Sequence, residues 1–327
     1  MITTATRVWV SDATGGLGAR VLRLFAAAES IAVAGGDANG LASSDVIVWL
    51  SAGDADARAE RKQSAMEGLA AALADATNAR HVVLVSSAMV YGAWANNPVP
   101  LTEEAPLRPD VDFVYARQLG AAEQLVDDWR LARADRSVTV LRPVVTMAAE
   151  GTSGLASALA AGMGQRRGEA DPPSQYLHLD DLASAVALSA QRRLDGVFNV
   201  APDGAVPGER VRALAGAVPR LKLPERVTEV IATQRWRFQR GPIPPGLRSY
   251  TRWTWLVAND RLKAQGWRPT VTNEQAYVEG TEAKWWTIVS PKRRQELSLG
   301  SLVGGLLVGG MVAVRAIRRA RTRRSGR

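Results

Sequence analysis

Short runs with almost no charge impose the strongest constraint on this chain. They are Arg7–Ser11 (RVWVS), Asp45–Leu50 (DVIVWL), His81–Ser86 (HVVLVS) and Ser137–Leu141 (SVTVL). Their apolar residues are largely consecutive rather than alternate, so such strands are buried on both faces, as in a parallel sheet. Between them lie stretches that suit helices: Gly15–Ala28, the Ala-rich 55–77, and Asp112–Leu131. Ser30–Ala34 reads as a short second strand. Strands alternating with helices predict an α/β fold with a doubly wound parallel sheet. From about residue 144 the rhythm changes, with helices expected near 153–163, 180–192, 207–217 and 273–286 and a strand over 196–200. The expected organisation is a nucleotide-fold-like domain over 1–143 and a smaller C-terminal lobe, holding the last strands of the sheet, over 144–289. A hydrophobic segment with a basic tail follows over 290–327.

The net charge of +9 belongs to that tail. Residues 290–327 carry ten of the 41 Lys/Arg and one of the 32 acidic residues, which leaves 31 of each sign in the body. A neutral body without a recognisable nucleic-acid module argues against nucleic acid as a partner. The absence of cysteine excludes disulfides, thiolate metal sites and cysteine nucleophiles. With only His81 and His178, no metal site is expected, and His178 reads as a structuring residue at the Asp180-Asp181 helix start.

Residues 297–314 (LSLGSLVGGLLVGGMVAV) run for 18 positions without charge. As a helix they reach ~27 Å, near the minimum for a bilayer core. Trp285 and Trp286 precede the segment and seven arginines follow it, which suits interfacial anchoring and anionic lipid headgroups. A buried C-terminal helix is the alternative. The N-terminus does not read as a signal peptide, so the body is expected at the cytoplasmic face of the membrane. A simple crossing would put the more basic flank outside, against the positive-inside tendency; a shallow insertion or docking on a membrane-protein partner resolves this. Arg235, Arg237, Arg240, Arg248 and Arg252, interleaved with Trp236, Phe238, Tyr250, Trp253 and Trp255, suit a phosphorylated substrate, an anionic lipid surface or plain packing.

The stretch Ser11-Asp12-Ala13-Thr14-Gly15-Gly16-Leu17-Gly18 joins the first strand to the first helix. Glycines there permit a tight turn, and a helix N-terminus offers N–H groups to a pyrophosphate. Further along stand Ser86-Ser87-Ala88-Met89-Val90-Tyr91-Gly92, Tyr115-Ala116-Arg117-Gln118-Leu119, Leu141-Arg142-Pro143, His178-Leu179-Asp180-Asp181 and Gly266-Trp267-Arg268-Pro269. Taken in order over residues 7–286, these motifs resemble the extended short-chain dehydrogenase/reductases of the NAD-dependent epimerase/dehydratase type. The resemblance implies a Rossmann-type domain, NAD or NADP as cofactor, and a homodimer. It implies Ser87 and Tyr115 as the catalytic pair, and Gly15, Gly16, Leu17 and Gly18 at the pyrophosphate. Asp37 stands at the separation expected for a ribose hydroxyl, with a plain loop residue as the alternative, and Gln118 is within reach of a ribose.

Three positions depart from the family pattern. Leu119 stands where the family has the lysine that holds the ribose and lowers the tyrosine pKa. Asp12 stands at the first loop glycine, where a carboxylate ~4 Å from a phosphate costs on the order of 4 kcal/mol. Gly35–Ser44 is too short for the family's third strand and its helices. The expectation is therefore a membrane-tethered family member with lost or reduced nicotinamide chemistry, acting as a binding, scaffold or regulatory subunit. One alternative is an active NAD(P)-dependent epimerase or oxidoreductase on a small-molecule substrate, namely a nucleotide-sugar, a lipid-linked or a sterol-like compound. A third reading is an anionic-lipid-binding adaptor.

Overall fold

A computed structural model describes residues 5–51, 59–162, 171–215 and 246–282. Six strands form one parallel sheet: β1 (Thr6–Val10), β2 (Ile31–Val33), β3 (Val46–Leu50), β4 (His81–Val85), β5 (Ser137–Pro143) and, after two short strands, β8 (Gly196–Val200). Their order is β2-β1-β3-β4-β5-β8, so the direction of winding reverses between β1 and β3. In open α/β sheets, that reversal opens a crevice at the carboxyl ends of the strands. The expected fold class is the one observed.

The apolar runs are buried as their sequence demands. One sheet face holds Val8, Val48, Val83 and Leu141 against Val21 and Phe25 of α1 (Gly16–Ala26) and Val186 of α6 (Leu179–Arg192). The opposite face holds Ile47, Val82, Leu84 and Val140 against Leu69 of α3 (Ala59–Asp75) and Val126 of α4 (Val114–Leu131). Register keeps the layers aligned, with Val48 beside Val83 and Val83 beside Thr139.

Two features differ from the strand-and-helix reading. A five-residue helix, α2 (Ala38–Ala42), fills the gap between β2 and β3, where no helix is expected from the sequence. Glycine at 40 is needed there, because a Cβ would strike the Gly35 carbonyl oxygen. With so short a connection, β2 pairs with β1 alone among the described strands and forms the sheet edge. Secondly, β6 (Val145–Met147) and β7 (Tyr176–His178) form a separate two-stranded parallel sheet. This small sheet, α5 (Gly154–Gly162) and α10 (Asn273–Glu282) build the wall facing the crevice, while α7 (Gly208–Ala215), α8 (Leu247–Arg252) and α9 (Asp260–Ala264) complete the described part.

Candidate functional site

The loop leaving β1 turns on its own aspartate. Asp12 Oδ1 accepts the Gly15 N–H at 2.9 Å and lies 3.5 Å from Thr14 Oγ1. A Cβ at Gly15 would strike Asp12 Oδ2, and one at Gly18 would strike the Asp12 carbonyl oxygen. The loop backbone itself therefore requires glycine at 18, and at 15 glycine lets the Asp12 carboxylate fold back over the turn. The Asp12 carboxylate sits at the start of α1, where unpaired N–H groups and the helix dipole favour an anion.

At the end of β4, Ser87 caps a 3-10 turn over Ala88–Tyr91. Its Oγ accepts the Met89 N–H at 3.2 Å and lies 3.4 Å from the Pro143 carbonyl oxygen. Tyr115 projects from the first turn of α4, its ring 5.8 Å from that of Phe113. Burial pushes its phenol up to about 12. At pH 7 about one such tyrosine in 10⁵ is phenolate, against about one in 10³ for a free tyrosine. Leu119, one turn on, is buried at 5% exposure and brings no charge to lower that pKa.

A further turn along the same face stands Glu123, which was not singled out in the sequence. It is 7% exposed and Arg142 is 5% exposed. Arg142 Nη2 donates to Glu123 Oε2 at 2.6 Å, and Ser86 Oγ donates to Glu123 Oε1 at 2.5 Å. Arg142 Nη1 reaches the Tyr91 hydroxyl at 2.8 Å, and that hydroxyl donates to Asn199 Oδ1 at 2.8 Å. Burial pushes the Tyr91 phenol above its ordinary value, against the opposing pull of the Arg142 charge. Burial also works against the Arg142 charge, but the Glu123 carboxylate outweighs it and raises the guanidinium pKa. The pair ties α4 to β5 directly behind Ser86. Its sequence signal was the spacing of Glu123 from Tyr115, two helical turns of eight residues, opposite the Arg142-Pro143 motif.

The facing wall comes from the segment after β5. Gly151 adopts φ +94, and a Cβ added at Gly16 would lie 3.1 Å from Gly151 Cα. The two backbones therefore touch across the top of α1. Arg20 clamps them: its Nε donates to Asp180 Oδ1 at 2.6 Å, Nη1 to the Gly16 carbonyl at 2.8 Å and Nη2 to the Glu150 carbonyl at 3.2 Å. His178 caps α6 by accepting the Asp180 N–H at 3.2 Å, the structuring place expected for it, and its other ring nitrogen lies 3.1 Å from Glu279 Oε2.

Together these parts enclose a cavity of about 290 Å³ at the β1/β3 crevice. Gly15, Gly16 and Leu17 line one end, and Ser87 and Tyr115 line it too, so the structure brings these five predicted residues together. Gly18 lies buried behind them. Asp37 is not among the lining residues; it is exposed and caps α2, its Oδ1 accepting the Gly40 N–H at 2.8 Å. Gln118 does not line the cavity either, and its Oε1 is buried with no hydrogen-bond partner among the described residues. Ser86, Ser87, Thr146, Thr152 and Ser153 share the lining with Leu50, Val85, Leu155 and Leu182. Among the described residues, Asp12 is the one carboxylate in the lining, and the lining includes neither lysine nor arginine.

Of the Arg/aromatic stretch, the described aromatics Tyr250, Trp253 and Trp255 pack on the core, while Arg248 and Arg252 are exposed. Tyr250 is fully buried with its hydroxyl on the Met89 carbonyl at 2.5 Å, and Trp255 is buried against it. Arg252 stacks over Trp253 at 5.1 Å. Arg235, Trp236, Arg237, Phe238, Arg240 and the whole of 290–327 lie outside the described residues. Among the described residues no helix is long and apolar enough to cross a membrane.

Comparison with known proteins agrees with the architecture. Residues 42–201 match the model of the NAD dependent epimerase/dehydratase family. That segment includes Ser87, Tyr115 and Arg142 and begins after the glycine loop. Uncharacterized proteins of Mycobacterium bovis and Mycobacterium tuberculosis are 28% identical over 151 residues, which is 46% of this chain and 40% of theirs. The chain thus spans well under two thirds of the length of the curated relatives it matches. Among solved structures, the UDP-glucose 4-epimerase of Thermus thermophilus in complex with NAD superposes with a TM-score of 0.62 at 18% identity, over 85% of this chain and 98% of that one. RMD of Pseudomonas aeruginosa, complexed with NADPH, gives 0.58 at 18% identity over 85% and 97%. The dTDP-glucose 4,6-dehydratase of Bacillus anthracis in complex with NAD gives 0.56 at 14% identity over 86% and 96%. These likenesses establish the shared fold.

Proposed function

We propose that this chain is a member of the NAD dependent epimerase/dehydratase family, whose model residues 42–201 match, and that its nicotinamide chemistry is lost or reduced. On this reading it serves as a membrane-tethered binding, scaffold or regulatory subunit. The observation that carries it is the buried Leu119 one turn from Tyr115. General acid–base work needs a group whose pKa lies near the operating pH. Tyr115, half-buried beside an aliphatic side chain, has its phenol pushed up to about 12 by that burial, far from neutrality. No lysine stands there to hold a ribose or to favour the phenolate.

The reading is tested by hydride transfer. The full-length chain, mixed with NAD and UDP-glucose, is expected to produce no bound or free NADH absorbance at 340 nm. Appearance of that signal, lost in Tyr115→Phe, would overturn the reading. Such a result would favour the active alternative, an NAD(P)-dependent epimerase or oxidoreductase in which Ser87 polarises the substrate and Tyr115 moves the proton. The observation on that side is that both residues line one cavity. In the double variant Asp12→Gly/Leu119→Lys, the ammonium restores a charge beside Tyr115. Its phenol is then expected to titrate at least about 1 pH unit lower than in the wild type, read as tyrosinate absorbance at 295 nm against the Tyr115→Phe spectrum.

Membrane tethering rests on the uncharged run 297–314 and the seven arginines after it. The attraction of such a basic segment to an anionic lipid surface contributes roughly 1 kcal/mol per basic residue near the surface. The full-length chain is expected to float with vesicles containing phosphatidylserine, and a variant ending at residue 289 is expected to stay at the bottom of the gradient. Equal behaviour of the two would remove the tail from the proposal. A homodimer and a membrane-protein partner remain part of this reading and are resolved by the same samples run on a sizing column in detergent.

A further inference from the structure

The cavity and the family's cofactor disagree. A dinucleotide brings two phosphate charges to the N-terminus of the first helix, and the crevice must supply compensating groups there. In this chain that end is walled by the Asp12 carboxylate, held on the Gly15 N–H at 2.9 Å, and by Gly151, whose Cα lies 3.1 Å from where a Gly16 Cβ would stand. Neither wall yields easily. Asp12 is tied to the loop by its hydrogen bond from the Gly15 N–H, and the Gly151 segment is clamped by Arg20 through the Glu150 carbonyl. No described lysine or arginine lines the cavity to offset a phosphate. On the adenine side, Asp37 is committed to capping α2, and β2 is the edge of the described sheet.

We infer that Asp12 determines specificity by barring phosphate from this cavity, which takes instead a small ligand carrying hydroxyls and no phosphate. The lining combines Ser87, Tyr115, Thr146 and Ser153 with the apolar Leu155 and Leu182, a mixed surface that suits such a ligand. The Asp12 carboxylate accepts a hydroxyl where a phosphate would be repelled. This deepens the reading of lost nicotinamide chemistry and rests on it for the role of the cavity.

The test is NADH binding to the full-length chain in detergent micelles, read as energy transfer from tryptophan to the bound dihydronicotinamide. Wild type, Asp12→Asn and Asp12→Gly are compared, with Asp12→Glu as the variant that keeps the charge. A charge removed from ~4 Å is worth up to about a thousandfold in affinity. Both neutral variants are expected to bind NADH at least about tenfold more tightly than wild type, while Asp12→Glu gains nothing. Asp12→Asn keeps the loop's hydrogen bond, so the comparison survives if Asp12→Gly unfolds. Wild type binding NADH as tightly as Asp12→Asn would overturn the inference. If that tightly bound NADH is never formed from NAD, the loss of nicotinamide chemistry still stands; hydride transfer by the wild type would overturn that reading as well.

Discussion

Replacing Glu123 by glutamine is expected to lower the unfolding free energy by about 3–5 kcal/mol, because it leaves the buried Arg142 without its counter-charge. Both residues are under 10% exposed, and the polar groups they bond are committed as well: Ser86 to Glu123, the Tyr91 hydroxyl to Asn199. The guanidinium has little water to turn to. Arg142→Met should cost a similar amount, since it strands the carboxylate instead. The double variant Glu123→Leu/Arg142→Met should recover most of the loss, because a buried ion pair is worth little against an apolar replacement. Urea unfolding at pH 7 gives all three values. For contrast, the surface pair Arg130–Asp127, with side chains 35% and 46% exposed, should cost less than about 1 kcal/mol when Asp127 becomes asparagine. A Glu123→Gln value as small as that would show that the pair is solvated.

The second large effect is acid lability from His81. The imidazole is completely buried at the start of β4, its Nδ1 2.8 Å from Ser137 Oγ and its Nε2 3.2 Å from Thr139 Oγ1. Burial first, and then the Arg193 charge, push its pKa down to about 4. In the unfolded chain it titrates near 6.5, so below that pH the unfolded state binds more protons than the folded one. Stability is therefore fully present above about pH 6.5 and is lost as pH falls toward 4, by on the order of 3 kcal/mol. Unfolding free energies measured from pH 7.5 to 4 should fall along this limb. A His81→Asn variant, whatever its stability at neutral pH, should show a shallower slope over the same range. An unchanged slope would place the acid sensitivity in other groups.

Both residues illustrate how legibility depends on what a side chain touches. The sheet was readable because each strand carries its burial in its own letters: VIVWL and HVVLV cannot face water on either side. The helices α1, α3, α4 and α6 were readable from local periodicity, and their observed ends fall within a few residues of the expected ones. Leu119 was conspicuous because four residues is one helical turn, so its place beside Tyr115 follows from the sequence alone. The helix α2 was not readable. Its five residues are held by a cap from Asp37 and by backbone contact at Gly40, and neither writes an apolar pattern. The same holds for the Gly16–Gly151 contact, which joins residues 135 positions apart through backbone alone.

For this chain, then, the letters themselves determined a parallel sheet, its covering helices and an aliphatic residue one turn after Tyr115. Each of these is set by near neighbours or by one residue's own hydrophobicity. What only the tertiary structure decided is how the cavity is charged and closed. Asp12 could turn outward or inward with the same sequence; it turns onto the Gly15 N–H. Arg142 and Glu123 are ordinary charged residues in the sequence, and packing of α4 on the sheet drives them into a single buried pair. Long-range contact sets these electrostatics, because a charge has its effect only through the distance and dielectric that the fold imposes.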